Sequence, residues 1–345
     1  MQNITVYDIA REANVSVSTV SRVLNGTAPV KESTRNLILE IIEKYQFQPN
    51  ALARSLIKKE TKTIGIILPD ITNPFFPEVF SGAENALREA GYTFFLCTTA
   101  GDSRRESEYL SILRERQVDG ILFLGGRINR SNCEPDLVQE VVDISKRIPV
   151  VLINGDLPNH TFYRVSTDEY LGAQLGVQHL IDLGHENIGF IGGRNGTSTT
   201  DVKVNAFRDT MRKNGLSFRE EWVLYDDFTI TSGKILMEKL LNMYCKPSAV
   251  CCVNDFASVG AIKTAIKYGL RIPEDMSIMG YDDTILSTSM IPELTTISQN
   301  SVELGKIAVE ILRALINGEE VAQHTIIQPK LVRRQSTSIN CVHHR

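Results

Sequence analysis

TVYDIAREANVSVSTVSRVLNG, residues 5–26, is the stretch from which the amino-terminal fold is read. Thr5 stands three residues before Asp8, just ahead of apolar Ile9, Ala10 and Ala13. That is a capping box with Asp in place of Glu, and it predicts a helix starting near Val6. The helix should end near Ala13, because Asn14-Val15-Ser16 reads as a tight turn. Ser16 is placed to cap a second helix whose inward stripe is Val20, Val23 and Leu24, with Asn25-Gly26 ending it. A third helix is expected over about 31–45, with Leu37, Ile38, Ile41 and Ile42 facing inward. Two short helices joined by a three-residue turn, then a third packed across them, make a helix-turn-helix unit. On the second helix Val17, Ser18, Ser21, Arg22 and Asn25 point away from the inward stripe. Small hydrogen-bonding side chains suit base edges in a major groove, and Arg22 suits guanine O6 and N7 together. The plainer reading is a three-helix domain with a polar surface. The lack of Glu or Lys on this face counts against it.

Beyond the third helix, QFQPNALARSLIKKE (46–60) reads as a linker able to fold. Pro49 disfavours helix at Gln48, and Asn50 is a good cap for the residues after it. So short a helix is marginal in isolation. Leu52 and Leu56 share one side, and a helix formed only on DNA could push such a leucine between base steps. An ordinary interdomain linker is the alternative. Residues 1–62 hold nine Lys/Arg and six Asp/Glu, a net +3, whereas the remainder carries −7. A basic head on an acidic body is the asymmetry expected when one end meets phosphates.

From residue 63 onward short apolar strands (64–68, 93–98, 120–124, 150–153, 187–191, 249–253, 277–280) alternate with amphipathic helices. This predicts parallel sheets covered on both faces. Strands ending at Asp70, Gly125-Gly126, Asn154-Gly155, Gly192-Gly193, Asn254-Asp255 and Asp282-Asp283 place polar loops at carboxyl edges, where α/β folds bind ligands. The 345 residues suffice for two or three domains, and the body divides into two lobes, the second beginning near Val165. No apolar run reaches the ~18 residues of a membrane span. Charged residues also interrupt the first 25, so a cytoplasmic location is expected. The six cysteines form no C-x-x-C pair and no metal site or cofactor is expected. His343-His344 reads as a tail rather than a ligand pair. Ile191-Gly192-Gly193-Arg194-Asn195-Gly196 lacks a dinucleotide fingerprint, and no phosphate-binding, zinc-protease or nucleophile-elbow motif occurs. The pairs Asp226-Asp227 and Asp282-Asp283 could hold a metal or transfer protons, but without other catalytic parts they suit the hydroxyl groups of a polar ligand. No catalytic residue is assigned.

Residues 5–26, PNALARSL (49–56), IGIILPDITNPFF (64–76), HLIDLGH (179–185), VNDFASVGAIKTAIKYGLRIPEDMSIMGYDD (253–283) and PELTTISQNSVELG (292–305) together resemble the LacI/GalR family of transcriptional regulators. The resemblance runs in order along nearly the whole chain. It implies an α plus α/β architecture: a helix-turn-helix head (1–48), a hinge helix and linker (49–62) and a two-lobed core like a periplasmic sugar-binding protein (63–340). Lobe 1 is expected over about 63–161 and 293–324, lobe 2 over 162–292 and 325–340. The resemblance further implies a homodimer on a pseudo-palindromic double-stranded operator, controlled by a small effector. Bases would be read mainly by Val17, Ser18 and Arg22. Thr5, Tyr7, Ser16, Thr19, Ser21 and Asn25 would support them or touch phosphates. Leu56 matches the family's minor-groove leucine, with Asn50 and Ala53 against the same groove. In the core, Phe76 and Phe228 match aromatics flanking the effector, Asp282 and Asn254 match polar contacts of the second lobe, and Gln299 lies on a crossover.

Two positions depart from the family pattern. Asn154 stands where many relatives have Asp. Lys203, or Asp201 with a shifted alignment, stands where many have Arg, and lysine cannot give a bidentate fork. The function implied is a repressor of a catabolic or metabolic operon answering to a sugar or sugar derivative. A nucleobase-responsive regulator is the alternative, then a ligand-binding module or enzyme with an interaction head.

Overall fold

Thr5 starts the first helix, α1 (Val6–Glu12), through the expected reciprocal cap: its N–H and hydroxyl donate to Asp8 Oδ2 at 3.0 and 2.6 Å. In this computed structural model residues 4–25, 28–47, 60–157 and 159–340 are described. The chain divides into two units, 1–61 and 62–345. In the first, Ser16 Oγ accepts from Thr19 N at 3.2 Å and opens α2 (Val17–Asn25), and α3 (Glu32–Lys44) closes the head. Ile9, Val20, Ile38 and Ile41 are its buried centre, since only side chains three and four apart share one helix face. Leu37, expected inward, is 43% exposed, because the stripe runs through Ile38 and Ile41 and places its neighbour to one side. Val17, expected outward, is half-buried and packs on that centre. Lys44 Nζ reaches Glu12 Oε1 at 2.8 Å and ties α3 to α1.

The second unit is built on two parallel sheets. In the first, β1 (Thr63–Leu68) lies between β2 (Thr93–Thr98) and β3 (Gly120–Leu124), followed outward by β4 (Val150–Ile153), β5 (Tyr163–Thr167) and β11 (His324–Ile327). The central strands β1, β3 and β4 are almost wholly apolar and buried because helices cover both faces. One face carries α4 (Phe75–Glu89) and α12 (Ser301–Ile316), which touch at Gly82 and Gly305; a Cβ on either would meet the facing backbone. The second sheet orders β7 (Val223–Leu224), β6 (Ile188–Ile191), β8 (Ala249–Cys252) and β9 (Ser277–Met279). It packs with α7 (Glu169–Asp182), α8 (Ser198–Lys213), α9 (Ile230–Leu241) and α10 (Asp255–Lys267). An antiparallel pair, β10 (Thr296–Ser298) with β12 (Lys330–Val332), adjoins β9 through bridges at Met279–Thr295 and Asp282–Ser298.

Strand pairing moves the expected lobe boundaries. Tyr163 registers with Val151, and Ile327 with Thr167, so 163–167 and 324–327 belong to the first lobe, while 296–298 belongs to the second. The crossings are therefore near 168, 299 and 328, not 162, 293 and 325. They bond to one another: Asp168 N to Ile327 O at 3.1 Å, Thr167 Oγ1 to Gln299 O at 3.1 Å and Asn300 Nδ2 to Gln328 O at 3.2 Å. Among the described residues no helix is long and apolar enough to cross a membrane.

Candidate functional site

The carboxyl ends of β1, β3, β4 and β8 turn toward one cleft of about 540 Å³ between the lobes. This is within the ~300–1,000 Å³ common for small-molecule sites. All seven side chains singled out in the core, Phe76, Asn154, Lys203, Phe228, Asn254, Asp282 and Gln299, line it. Phe76 lies in the first turn of α4, edge-on to Phe75 at 5.4 Å, and Phe228 precedes α9; both rings are half-buried.

A polar chain crosses the cleft floor. Asn154 Nδ2 donates to Gln299 Oε1 at 2.9 Å, and Gln299 Nε2 donates to Asp282 Oδ1 at 2.6 Å. Asn154 Oδ1 accepts from Thr167 N at 2.8 Å, so this side chain ties the end of β5 to the crossing at Gln299. Asparagine fits because the position needs a donor and an acceptor at once, which an ionised aspartate cannot supply. Asp282 holds φ at 110°. Burial pushes its carboxyl well above the usual range against the pull of Lys203, which favours the protonated form.

Of the two rivals, Lys203, on α8, lines the cleft, whereas Asp201 accepts from Ser131 Oγ at 2.5 Å. Its Nζ donates to Val253 O at 3.2 Å, lies 3.7 Å from Glu169 Oε1 and sits 3.7 Å from the Tyr281 ring centre. Burial raises the Glu169 carboxyl, and Lys203 opposes it. Asn254 caps α10 by accepting from Ala257 N at 2.8 Å and donates to Phe228 O at 3.1 Å. Its side chain thus fixes the aromatic wall.

Neither aspartate pair acts as a unit. Asp227 faces the cleft and binds Arg194 at 2.8 Å, whereas Asp226 is exposed; Asp282 faces inward, whereas Asp283 binds Arg334 at 2.7 Å. Sequence reasoning missed Glu169, Arg194, Asn129, Arg105 and Arg130 as lining residues. Arg194 and Glu169 each follow a strand end within three residues, a usable signal. Arg105 and Arg130 carry none, since the fold alone brings the first turn of one helix and the turn after β3 to the same cleft. The lobes meet beside the cleft: Ser131 N donates to Gly196 O at 2.9 Å and Ile285 N to Glu78 Oε1 at 3.1 Å. His179 and His185 are buried away from it, bonded to Thr337 and to Ser248 and Ser277. Cys97, Cys251 and Cys252 are buried free thiols, and burial pushes Cys97 up to about 11.

On the head, Tyr7 (70% exposed), Ser16, Ser18 and Arg22 are exposed, and Thr19 and Ser21 are half-buried. Ser16 Oγ lies 2.8 Å from Ser18 Oγ and 2.9 Å from Thr19 Oγ1, forming one hydroxyl cluster at the start of α2. Thr5 spends its hydroxyl on the cap. Asn50, Ala53 and Leu56, the Asn25 side chain and His343-His344 lie outside the described residues.

Two family descriptions match the chain: bacterial regulatory proteins of the lacI family over residues 5–50, and a periplasmic binding protein-like domain over 177–337. The ribose operon repressor of Haemophilus influenzae is 34% identical, covering 96% of this chain and 98% of its own. Catabolite control protein A of Priestia megaterium is 36% identical, covering 97% and 99%. The lac repressor dimer bound to operator and the anti-inducer ONPF superposes with a TM-score of 0.86 at 24% identity, covering 98% of this chain and all of that one, a likeness of fold.

Proposed function

The chain belongs to the lacI family of bacterial regulatory proteins, and from that premise we propose that it is a homodimeric repressor of a catabolic or metabolic operon, switched by a sugar or sugar derivative in the interlobe cleft. It is a DNA-binding transcriptional regulator and not an enzyme. The observation that carries the ligand reading is the meeting of two aromatic walls, Phe76 and Phe228, with the chain Asn154–Gln299–Asp282. Aromatic faces take the apolar faces of a sugar ring, and amide and carboxyl groups pair with its hydroxyls. A relative named for a ribose operon supports the same class.

On the head, Ser18 and Arg22 present base-reading groups on α2, with half-buried Val17 beside them and Ser16, Thr19, Ser21 and Asn25 at the start of or along the same helix; Tyr7 adds a group from α1, and Thr5 caps α1. In this reading Leu56 is the minor-groove wedge, and Asn50 and Ala53 contact the same groove. Exposed Phe94 and Phe95 on β2, the outermost strand of the first sheet, give an apolar patch for a second copy to cover. The protein acts in the cytoplasm, where its operator is. Ligand that binds one lobe arrangement better than the other shifts operator affinity only by that difference. The three mutually bonded crossings are where the arrangement changes.

Selection of sites from random duplex DNA by the full-length protein, with sugars, sugar phosphates and nucleobases added in turn, tests the reading. A palindrome whose affinity falls with a sugar-class compound supports it, with affinity also falling steeply with salt. A response to a nucleobase alone replaces the ligand class. A palindrome indifferent to all of them removes the switch, and no enriched site removes the regulator.

A further inference from the structure

The charged side chains lining the cleft do not cancel in space. Lys203 faces Glu169, Arg194 binds Asp227, and Asp282 accepts from Gln299. Asp70 accepts from both the N–H and the hydroxyl of Thr72, at 2.8 and 2.7 Å. Arg105 and Arg130 also line the cleft, and among the described residues neither guanidinium has a hydrogen bond or a carboxylate within 4.0 Å. Glu106 relates the two. Arg105 is in the first turn of α5 (Ser103–Glu115) and adjoins Glu106 in the chain, and the charge of Arg130 is near enough to Glu106 to act on it. Glu106 itself is taken by Arg127 at 2.7 Å. Arg130 is half-buried, and its backbone bridges Thr197 of the second lobe. The Phe76 ring lies against Gly125, at the turn that leads into residues 126–129 and so to Arg130. A ligand in this cleft therefore shares it with the two phenylalanines and with two arginines that, among the described residues, pair with no carboxylate within 4.0 Å.

We propose that the effector is an anionic sugar derivative, a sugar phosphate or a sugar acid, whose charged group is held by Arg105 and Arg130 while its ring lies between Phe76 and Phe228. The inference rests on the sugar reading above and narrows it. Guanidinium is the side chain suited to this: its planar fork meets phosphate or carboxylate oxygens two at a time, and such charge-assisted bonds are the strong ones. Because Arg130 sits where the lobes touch, an anion on it would contact the junction and favour the closed arrangement.

Calorimetric titration of the full-length protein with ribose, ribose 5-phosphate, glucose, glucose 6-phosphate and glucuronate tests this, on the wild type, Arg105→Gln and Arg130→Gln. An anionic compound should bind more tightly than its neutral counterpart, and each substitution should weaken it about 10- to 100-fold. Unfolding of both variants, followed by the single Trp222, should stay close to wild type, since among the described residues neither guanidinium has a hydrogen bond or ion pair to lose. Preference for the two phosphates over glucuronate assigns a phosphate ester; the reverse assigns a carboxylate. A neutral sugar that binds at least as well as its anionic form, unaffected by either substitution, overturns the anionic subsite and leaves the sugar reading intact. No binding by any of the five overturns both.

Discussion

Replacing Gln299 by Leu separates the polar chain across the cleft from mere packing. Gln299 is 2% exposed and of similar size to leucine, so shape is nearly kept while two hydrogen bonds vanish. Asn154 Nδ2 and Asp282 Oδ1 are then left without these partners, on residues only 9% and 6% exposed. An orphaned buried polar atom costs about 1–3 kcal/mol, so the pair costs roughly 2–6 kcal/mol. Burying leucine in place of an amide returns about 1.5–3 kcal/mol. Taken at the middle of both ranges, the net expectation is a loss of about 2 kcal/mol. Trp222 is the sole tryptophan, 3% exposed in the second lobe, and its fluorescence under urea reports the core without the head. The same variant should bind the effector more weakly, because Asn154 and Asp282 are no longer held in register, while the isolated head–operator contact is untouched. A stability change under about 0.5 kcal/mol with normal effector affinity would refute the reasoning, since surface-like substitutions stay within that range.

Four further outcomes can be checked. Asp255 is fully buried and accepts from Thr284 and Thr296, and burial lifts its carboxyl to about 7 from 3.8. Its proton therefore stabilises the fold fully below about pH 3.8, and that stability is lost as pH rises to about 7; the advantage of wild type over Asp255→Asn should shrink by about 3 kcal/mol between pH 5 and 7, and parallel pH profiles would exclude it. Gly305→Val drives a side chain into the Val79 carbonyl and should cost about 1–3 kcal/mol or more by calorimetry. Thr5→Ala removes the cap of α1 and should cost the head about 0.5–2 kcal/mol, read by amide exchange in α1. Leu56→Ala should weaken operator binding in gel shift while sugar titrations stay unchanged; unaltered operator affinity would end the wedge role.

The local chemistry of residues 5–45 was legible because each device in it acts over three or four positions. Thr5 caps through Asp8, Ser16 opens α2, and Val20, Ile38 and Ile41 recur at helical spacing. The alternation of buried strands and helices likewise announced parallel sheets. Even the cleft residues were reached through the resemblance, and all seven line one cavity. What one-dimensional pattern could not give was how strands far apart pair. Tyr163–Thr167 has an unexceptional pattern, and only its register with Val150–Ile153 assigns it to the first lobe. Leu37 looked inward because apolar character does not say which side of a helix meets a neighbour. The sequence also left Lys203 and Asp201 as rivals, and the packing of α8 against Tyr281 and Ser131 separated them. Arg105 and Arg130 are 25 positions apart and follow no period. By itself, then, the sequence determined the helices, the sheet class and the regulator's plan, since these rest on short-range preference and periodic burial. Tertiary structure alone decided where the lobes exchange strands, which carboxylates face inward and which arginines share a cleft, because those depend on contacts between segments that nothing but the fold brings together.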